Sequence, residues 1–369
     1  MVEEEGWVRL RIILVGFGVV GQNLVKLLLS RADDIYLRYG MKPRLVATVD
    51  SKGVAVSQSG LDLQRLLEVK RLYGTVAAYH DDGQRGESAD IDLIDRKKGG
   101  RCRVEEIIRE MDAEVLVEAT PTNLNDGEPG LSNITTAIKH GRNVVTVNKG
   151  PLALAMPSLL ELAEYNGVML RFSGTVGGGT PILEFAKHCL RGDRILSFKG
   201  ILNGTTNYIL SMMEDGLTFD EALNDARSKG YAEADPSLDI DGFDAAAKLV
   251  IMANWIMGMK VTMRDVRFKG IRDVRLEDIL EAKKHGKVIK LIASCDESRR
   301  LRVEPMSIDK NEPLCVNGTL NAVTFTSEHS GELTVIGKGA GGMETASAIL
   351  RDLIEVREAM GMGIGLNRS

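Results

Sequence analysis

The sequence predicts an α/β protein, in which an N-terminal doubly wound parallel sheet of Rossmann type is followed by an α+β domain. Three observations lead there. Short, almost wholly apolar runs alternate with helical stretches over residues 1–170, the pattern of a parallel sheet covered on both faces. A glycine-rich turn, Gly16-Phe17-Gly18-Val19-Val20-Gly21, directly follows the first of these runs. At 369 residues the chain exceeds one typical core and suits two domains.

The first predicted strand is Arg11–Val15, ended by Gly16 and followed by a helix over Gln22–Ser30. The polar stretch Arg31–Pro43 reads as an inserted loop before a second strand, Leu45–Val49, closed by Asp50. Residues 51–100 are polar, with charge clusters, and read as a helix plus a surface insertion. Glu114–Ala119 and Asn143–Val147 are buried strands with a helix near Leu131–His140 between them. A helix over 153–166 and a strand over Val168–Phe172 follow.

The second half changes character. The run SGTVGGGTP (173–181) leads into a helix and then a strand, Ile195–Leu202. Helical segments surround Asp220–Lys229, before the acidic loop Tyr231–Gly242 and a long apolar helix, Phe243–Met257. Alternation over Lys287–Val335 predicts an antiparallel sheet, and 337–360 runs from GKGAGG into an amphipathic helix. The expected domains are 1–170, with 337–369 packing back on it, and 171–336 for substrate binding and dimerisation.

Composition narrows the function. Hydrophobic residues are 44% and charged residues 27%, with a net charge of -5 and a pI near 5.7. No basic field invites nucleic acid or anionic lipid. No run approaches the roughly 18 apolar residues of a membrane span. The start, MVEEEGWVRL, is acidic where a signal peptide is basic. Cys102, Cys189, Cys295 and Cys315 match no metal spacing and read as thiols in a reducing compartment. A cytoplasmic protein is expected.

The chemistry begins at the glycine turn. Gly16 permits a tight exit from the strand, Gly18 lets the backbone approach a pyrophosphate, and Gly21 lets helix and strand pack closely. A tight turn without ligand is the plainer alternative, disfavoured because this one follows a strand and opens a helix. Asp50 is the candidate ribose partner, lying further from the glycines than the usual twenty or so residues. Its carboxylate favours NAD, whereas Lys52 and Arg44 offer partners for a 2′-phosphate, so the preference between NAD and NADP stays open. Asn148-Lys149 and Thr120-Pro121 fall just past strand ends, where ligands of open α/β sheets bind.

Asp244 and Lys248, four apart on a helix, share a face among Phe243, Ala245, Ala246, Ala247, Leu249, Val250, Ile251 and Met252. In such apolar surroundings desolvation lowers a lysine's pKa and demands a partner. A lysine so tuned is a competent acid/base near neutrality. A structural buried ion pair is the alternative. Upstream, Glu233, Asp235, Asp239 and Asp241 do not match an EF-hand and offer carboxylates to an ammonium group.

With these residues assembled, the sequence resembles the homoserine dehydrogenase family over nearly its whole length. The likeness rests on VVTVNKGPLA (144–153), FSGTVGGGTPI (172–182), GILNGTTNYIL (200–210), YAEADPSLDIDGFDAAAK (231–248) and GKGAGGMETAS (337–347). It implies interconversion of L-homoserine and L-aspartate 4-semialdehyde with NAD or NADP, toward threonine and methionine. It implies Lys248 as proton donor and acceptor, Lys149 as a second active-site lysine, and Asp244 beside them. Glu233, Asp239, Thr205 and Tyr231 would shape the homoserine site, and Gly339 and Gly341 would join the cofactor-binding residues. A monovalent cation, sodium or potassium, would sit on backbone carbonyls of Ser173, Val176, Gly178 and Thr180, and the protein would be a homodimer.

Ser173 stands where some members have glutamate, and Glu344 where a small residue or proline is commoner. No sequence remains for an ACT domain or a fused aspartokinase, so threonine inhibition through a dedicated domain is not expected. Two rivals differ in what they require. An aspartate-semialdehyde-type dehydrogenase needs a thiolate nucleophile at a strand-end turn, and none of the four cysteines sits at one. A non-catalytic NAD(P)-binding sensor would keep the glycines and need neither lysine.

Overall fold

The computed structural model describes Val8–Tyr79 and Val104–Gly361. Residues 80–100 of the expected insertion and Cys102 lie outside the described residues. The chain divides into two units, one of residues 1–151, 158–174 and 345–369, the other of residues 152–157 and 175–344.

The first unit contains β1 (Val8–Val15), α1 (Val19–Ser30), α2 (Ala32–Tyr39), β2 (Met41–Asp50), β3 (Gly53–Val56) and α3 (Leu63–Tyr73). It continues with α4 (Val104–Glu110), β4 (Val115–Glu118), α5 (Gly130–Lys139), β5 (Asn143–Thr146), most of α6 (Lys149–Tyr165) and β6 (Leu170–Arg171). The sheet order is β3-β2-β1-β4-β5-β6. All neighbours are parallel except β3, which turns back antiparallel on β2. Ile12, Leu14, Val115, Val117, Val144 and Val145 are fully buried. Burial on both faces explains why these strands read as unbroken apolar runs rather than alternations.

Two expectations are corrected here. Arg31–Pro43 is not a loop: α2 fills it, and β2 begins at Met41. Only Ile35 of α2 is buried, and the segment is polar on average, which is why it reads as a loop. Pro43 sits inside β2 opposite Leu10 of β1. The other neighbour, β3, pairs only with Ala47–Asp50, so the proline's missing N–H breaks no ladder there. Secondly, α6 starts at Lys149 rather than 153 and is broken at Ala155 (φ -144°), two residues before Pro157. The break suits a proline that cannot donate to the preceding turn. Elsewhere, buried Arg142 closes the C-terminus of α4, donating to the carbonyls of Ile108, Arg109, Met111 and Ala113.

The second unit contains α7 (Ile182–Glu184), β7 (Ile195–Ile201), α8 (Gly204–Glu214), α9 (Phe219–Ser228), α10 (Ser237–Ile240) and α11 (Phe243–Met257). After these come β8 (Val266–Phe268), α12 (Leu276–Lys284), β9 (Lys287–Cys295), β10 (Leu301–Asp309), β11 (Leu320–Ser327) and β12 (Gly331–Lys338). Its sheet runs β12-β11-β7-β9-β10-β8, antiparallel save for β8 on β10. Thr218 and Glu221 form a capping box that starts α9. Every residue of α11 from Asp244 to Asn254 is buried. Fully buried Lys290 of β9 is held by Glu214 at 3.0 Å, with Ser211 and Asn317. The last helix, α13 (Gly342–Gly361), places Ala346, Ile349, Leu350, Leu353 and Val356 in the core of the first unit.

Candidate active site

The strand order of the first unit reverses between β1 and β4, so the crevice at their carboxyl ends is the position where such sheets bind ligands. Gly16 leaves β1 with φ +105°, and a Cβ there would lie 2.3 Å from the Ala119 carbonyl oxygen. A Cβ on Gly21 would strike the Gly16 oxygen at 2.3 Å, so α1 packs on the turn only because it is glycine. Gly18 differs: a Cβ there would meet nothing within 4 Å. It caps α1, whose first turn has no side-chain cap, so space and backbone N–H groups are both present for a phosphate. Phe17 is 1% exposed in the core, which confines its part in any ligand site to the backbone, while Val19 is 70% exposed and Val20 partly buried.

Asp50 ends β2 as expected, yet the structure gives it a different task. One oxygen accepts from the backbone N–H of Lys52 (2.8 Å) and Gly53 (3.0 Å) and from the Thr75 hydroxyl (3.1 Å). The other accepts from Lys70 Nζ (2.6 Å) and the Val76 N–H (2.9 Å). Its side chain is 4% exposed. Burial opposes ionisation, but these hydrogen bonds, led by Lys70, hold the carboxyl below its ordinary range. Both oxygens that a ribose would need already accept hydrogen bonds from the turn after β2 and from α3 and the turn beyond it.

Lys149 opens α6, with Asn148 as its N-cap: the Asn148 Oδ1 accepts from the Gly150 N–H at 3.0 Å. The Asn148 amide donates to Thr120 Oγ1 (3.1 Å) and to the Pro121 carbonyl (3.3 Å). Asn148 thus ties Thr120 and Pro121 together at the ends of β4 and β5, with Lys149 next in the chain. Under it lies Glu118, 0% exposed. Burial drives its carboxyl up to about 7, against hydrogen bonds from Thr120, Thr146 and Asn148.

The second unit holds its own buried polar cluster. Lys248 Nζ, 7% exposed, donates to the Leu202 carbonyl at 2.6 Å and to Asp244 Oδ2 at 2.7 Å. Two of its three N–H groups are used, and the third remains for an incoming oxygen. The Asn203 amide bridges Asp239 Oδ1 (2.6 Å) and Asp244 Oδ2 (3.0 Å). Asn203 Oδ1 caps α8 through the Thr206 N–H. Asp239 is pushed up from its ordinary value by burial, then by the neighbouring Asp244 charge.

The acidic loop is thereby sorted. Asp235 closes a turn on Ser237 and Asp241 pairs with Arg272, whereas Glu233 is exposed and Asp239 is turned in toward Asn203. Thr205 Oγ1 donates to the Tyr231 carbonyl at 2.8 Å, tying the start of the loop to α8. Sequence reasoning missed Asn203 and Glu118. A carboxylate ending the apolar run Val115–Val117 was the available signal for Glu118, since a buried charge needs partners.

Gly339 packs on the Asn321 side chain, leaving no room for a Cβ (2.1 Å). The Asn321 amide in turn donates to Leu202 O, the carbonyl that also receives Lys248. Gly341 has φ +138° beside the Glu344 carboxylate. Among the proposed cation residues, the Ser173 hydroxyl and N–H both bond Asp352. Val176 is fully buried, and Thr180 Oγ1 donates to the Lys338 carbonyl. A Cβ on Gly178 would come within 3.1 Å of the Gly339 backbone. The side chains of Ser173, Val176 and Thr180 are thus committed or apolar, and the Thr180 carbonyl accepts from the Ile182 N–H at 2.8 Å. Among the described residues no group of three or more His, Cys, Asp or Glu is arranged to hold a metal ion. Burial pushes the Cys295 thiol up to about 11 and raises that of Cys315.

The chain is similar to known proteins over nearly its whole length. A family model described as homoserine dehydrogenase matches residues 181–354. The chain is 45% identical over 347 residues to a homoserine dehydrogenase of Methanocaldococcus jannaschii, covering 94% of this chain and 98% of that protein. It is 38% identical to an NAD(+)-dependent homoserine dehydrogenase of Pseudomonas canavaninivorans, covering 95% and 96%. Among solved structures, a homoserine dehydrogenase from Thiobacillus denitrificans superposes with a TM-score of 0.81 at 30% identity, covering 99% of this chain and 77% of that one. A hyperthermophilic archaeal homoserine dehydrogenase in complex with NADPH gives a TM-score of 0.77 at 27% identity, covering 95% and 98%.

Proposed function

The chain belongs to the homoserine dehydrogenase family, and from that premise we propose that Lys248 is the group that moves the proton in an NAD(P)-dependent interconversion of L-homoserine and L-aspartate 4-semialdehyde. One observation carries this: a buried ammonium pinned by Asp244 and Leu202 O, with one N–H left over. As the semialdehyde oxygen becomes an alkoxide, Nζ donates a proton to it and neutralises its charge. In the reverse direction neutral Nζ takes the hydroxyl proton. Asp244 orients the amine. Asp239 and Glu233 present acceptors to the amino acid's ammonium group, and Thr205 and Tyr231 hold the loop that carries Glu233.

The dinucleotide supplies or accepts the hydride when bound. The open space at Gly18 and the uncapped start of α1 fit its pyrophosphate. Gly16, Phe17, Val19, Val20 and Gly21 would frame it by backbone, and Thr120, Pro121 and Lys149 would line its crevice. Gly339 and Gly341 complete the assignment on the substrate unit. Asp50 is not included, so NAD and NADP are both admissible; relatives of each kind exist.

A monovalent cation on the carbonyls of Ser173, Val176, Gly178 and Thr180 suits a donor set of neutral oxygens. We also assign a homodimer formed through the second unit, a cytoplasmic setting, and a place in threonine and methionine synthesis. Absorbance at 340 nm with homoserine and NAD+ or NADP+ tests the activity. Reduction of either cofactor is expected. No reduction with either, or a strict requirement for phosphate, would refute it.

A further inference from the structure

Glu118 is a buried carboxyl for which the reaction has no chemical use. It lies at the end of β4, fully inaccessible, and every partner is a neutral donor. Two hydrogen-bond relays converge on it from Asn148. In the first, the Asn148 amide donates to Thr120 Oγ1 at 3.1 Å and the Thr120 hydroxyl donates to Glu118 Oε1. In the second, the Asn148 backbone N–H donates to Thr146 Oγ1 at 3.1 Å and the Thr146 hydroxyl donates to Glu118 Oε2 at 3.2 Å. The Thr120 N–H adds a further bond to Oε1 at 3.1 Å.

Both relays run in one direction. An amide or N–H of Asn148 can only donate, so each threonine oxygen accepts there and turns its hydrogen to the carboxylate. Only a group that accepts at both oxygens completes the pair. A glutamine would point its NH2 at one threonine hydroxyl, strand that hydrogen and undo one relay. Asn148 is also the cap of α6, so its position sets where Lys149 begins.

We propose that Glu118 is a positioning residue for the reaction, holding the ends of β4 and β5 in register through Thr120, Thr146 and Asn148 so that Thr120, Pro121 and Lys149 are correctly placed at the cofactor crevice. This rests on the reading of Thr120 and Lys149 as active-site groups.

The test uses the full chain at pH 8 and reads NADPH affinity by fluorescence titration, kcat and KM for homoserine, and melting temperature. Glu118→Gln is expected to fold, to weaken NADPH binding, and to lower kcat on the order of 10- to 100-fold, the scale of a small misplacement of reacting groups. KM for homoserine should hold, because the acidic groups assigned to it belong to the other unit. A folded Glu118→Gln protein with wild-type NADPH affinity and kcat, whatever its melting temperature, overturns the proposal. If Glu118→Gln does not fold, Thr146→Val and Thr146→Ser decide. Loss of NADPH affinity and kcat in Thr146→Val with recovery in Thr146→Ser supports the relay; indistinguishable kinetics in the two refute it. Lys149→Ala run in parallel separates the causes. Wild-type kcat and NADPH affinity in that variant would show that the active-site reading beneath the proposal has failed, rather than the role of Glu118 alone.

Discussion

Replacing Lys248 by alanine separates a catalytic amine from a structural ion pair. Breaking a buried pair by removing one partner ordinarily costs about 3–5 kcal/mol, because a charge is stranded. Here the stranded groups retain partners. Asp244 keeps the Asn203 amide at 3.0 Å, and the Leu202 carbonyl keeps the Asn321 amide at 2.9 Å. The stability loss should therefore fall below that range, at about 1–3 kcal/mol. Turnover should fall much further, by roughly two to four orders of magnitude, the usual worth of a general acid–base group. Asp244→Asn should cost less activity, since the amine remains and only its orienting charge is lost. The assay pairs initial rates at 340 nm with thermal melts and NADPH titration, which should be unchanged. A well-folded Lys248→Ala protein that turns over homoserine near the wild-type rate would remove Lys248 from the mechanism. Equal, large stability losses in both variants with proportionate activity loss would favour a purely structural pair.

Gly18→Val should abolish dinucleotide binding while leaving the melting temperature nearly unchanged, since its side chain enters space that no protein atom occupies; unchanged cofactor affinity by fluorescence titration would dismiss the turn as the site. Asp50→Ala should lower stability through the loss of up to five hydrogen bonds, yet leave the ratio of NAD to NADP affinities near its wild-type value; a large swing toward NADP would restore it as the ribose partner. Glu118 binds its proton more tightly folded (about 7) than its ordinary value of 4.5, so its contribution favours the fold below about pH 4.5 and is lost as pH rises through 7, a swing of about 3 kcal/mol. Glu118→Gln should flatten that slope in denaturant titrations, and an unaltered slope would refute the assignment. Asp239 is also raised and must be ionised to meet an ammonium, so affinity for homoserine should improve with pH above the ordinary carboxylate range; the same dependence in Asp239→Asn would exclude it.

The parts of the site that were legible in sequence are those whose partners are close along the chain. Asp244 and Lys248 stand one helical turn apart in an apolar segment, so their pairing follows from helix geometry alone. Gly16, Gly18 and Gly21 likewise act through a turn and a helix start that follow each other directly. The bonding of Asp50 was not legible for the opposite reason: three of its five donors, Lys70, Thr75 and Val76, arrive from α3 and the turn beyond it. Asn203 meets Asp239 and Asp244 only after α8, α10 and α11 are packed. In the fold, buried apolar strands announced themselves, whereas α2 did not, because a short helix with one buried residue is polar on average and resembles a surface loop.

The charge inventory around Asn203 explains why the site should prefer an amino alcohol to a simple alcohol. Asp239 and Asp244 share the neutral Asn203 amide, and Asp244 is paired with the cation Lys248. With both carboxylates ionised, one negative charge is left uncompensated in a largely buried setting. At about 4 Å and an effective dielectric near 20, a pair of unit charges interacts by about 4 kcal/mol. An ammonium entering beside Asp239 recovers an energy of that order, while a neutral alcohol leaves the charge exposed to its neighbour or obliges Asp239 to keep a proton. On the proposed assignment, the burial that makes Asp239 hard to ionise alone would make it discriminate between substrates, since only a ligand bearing its own positive charge would return the energy that ionisation costs.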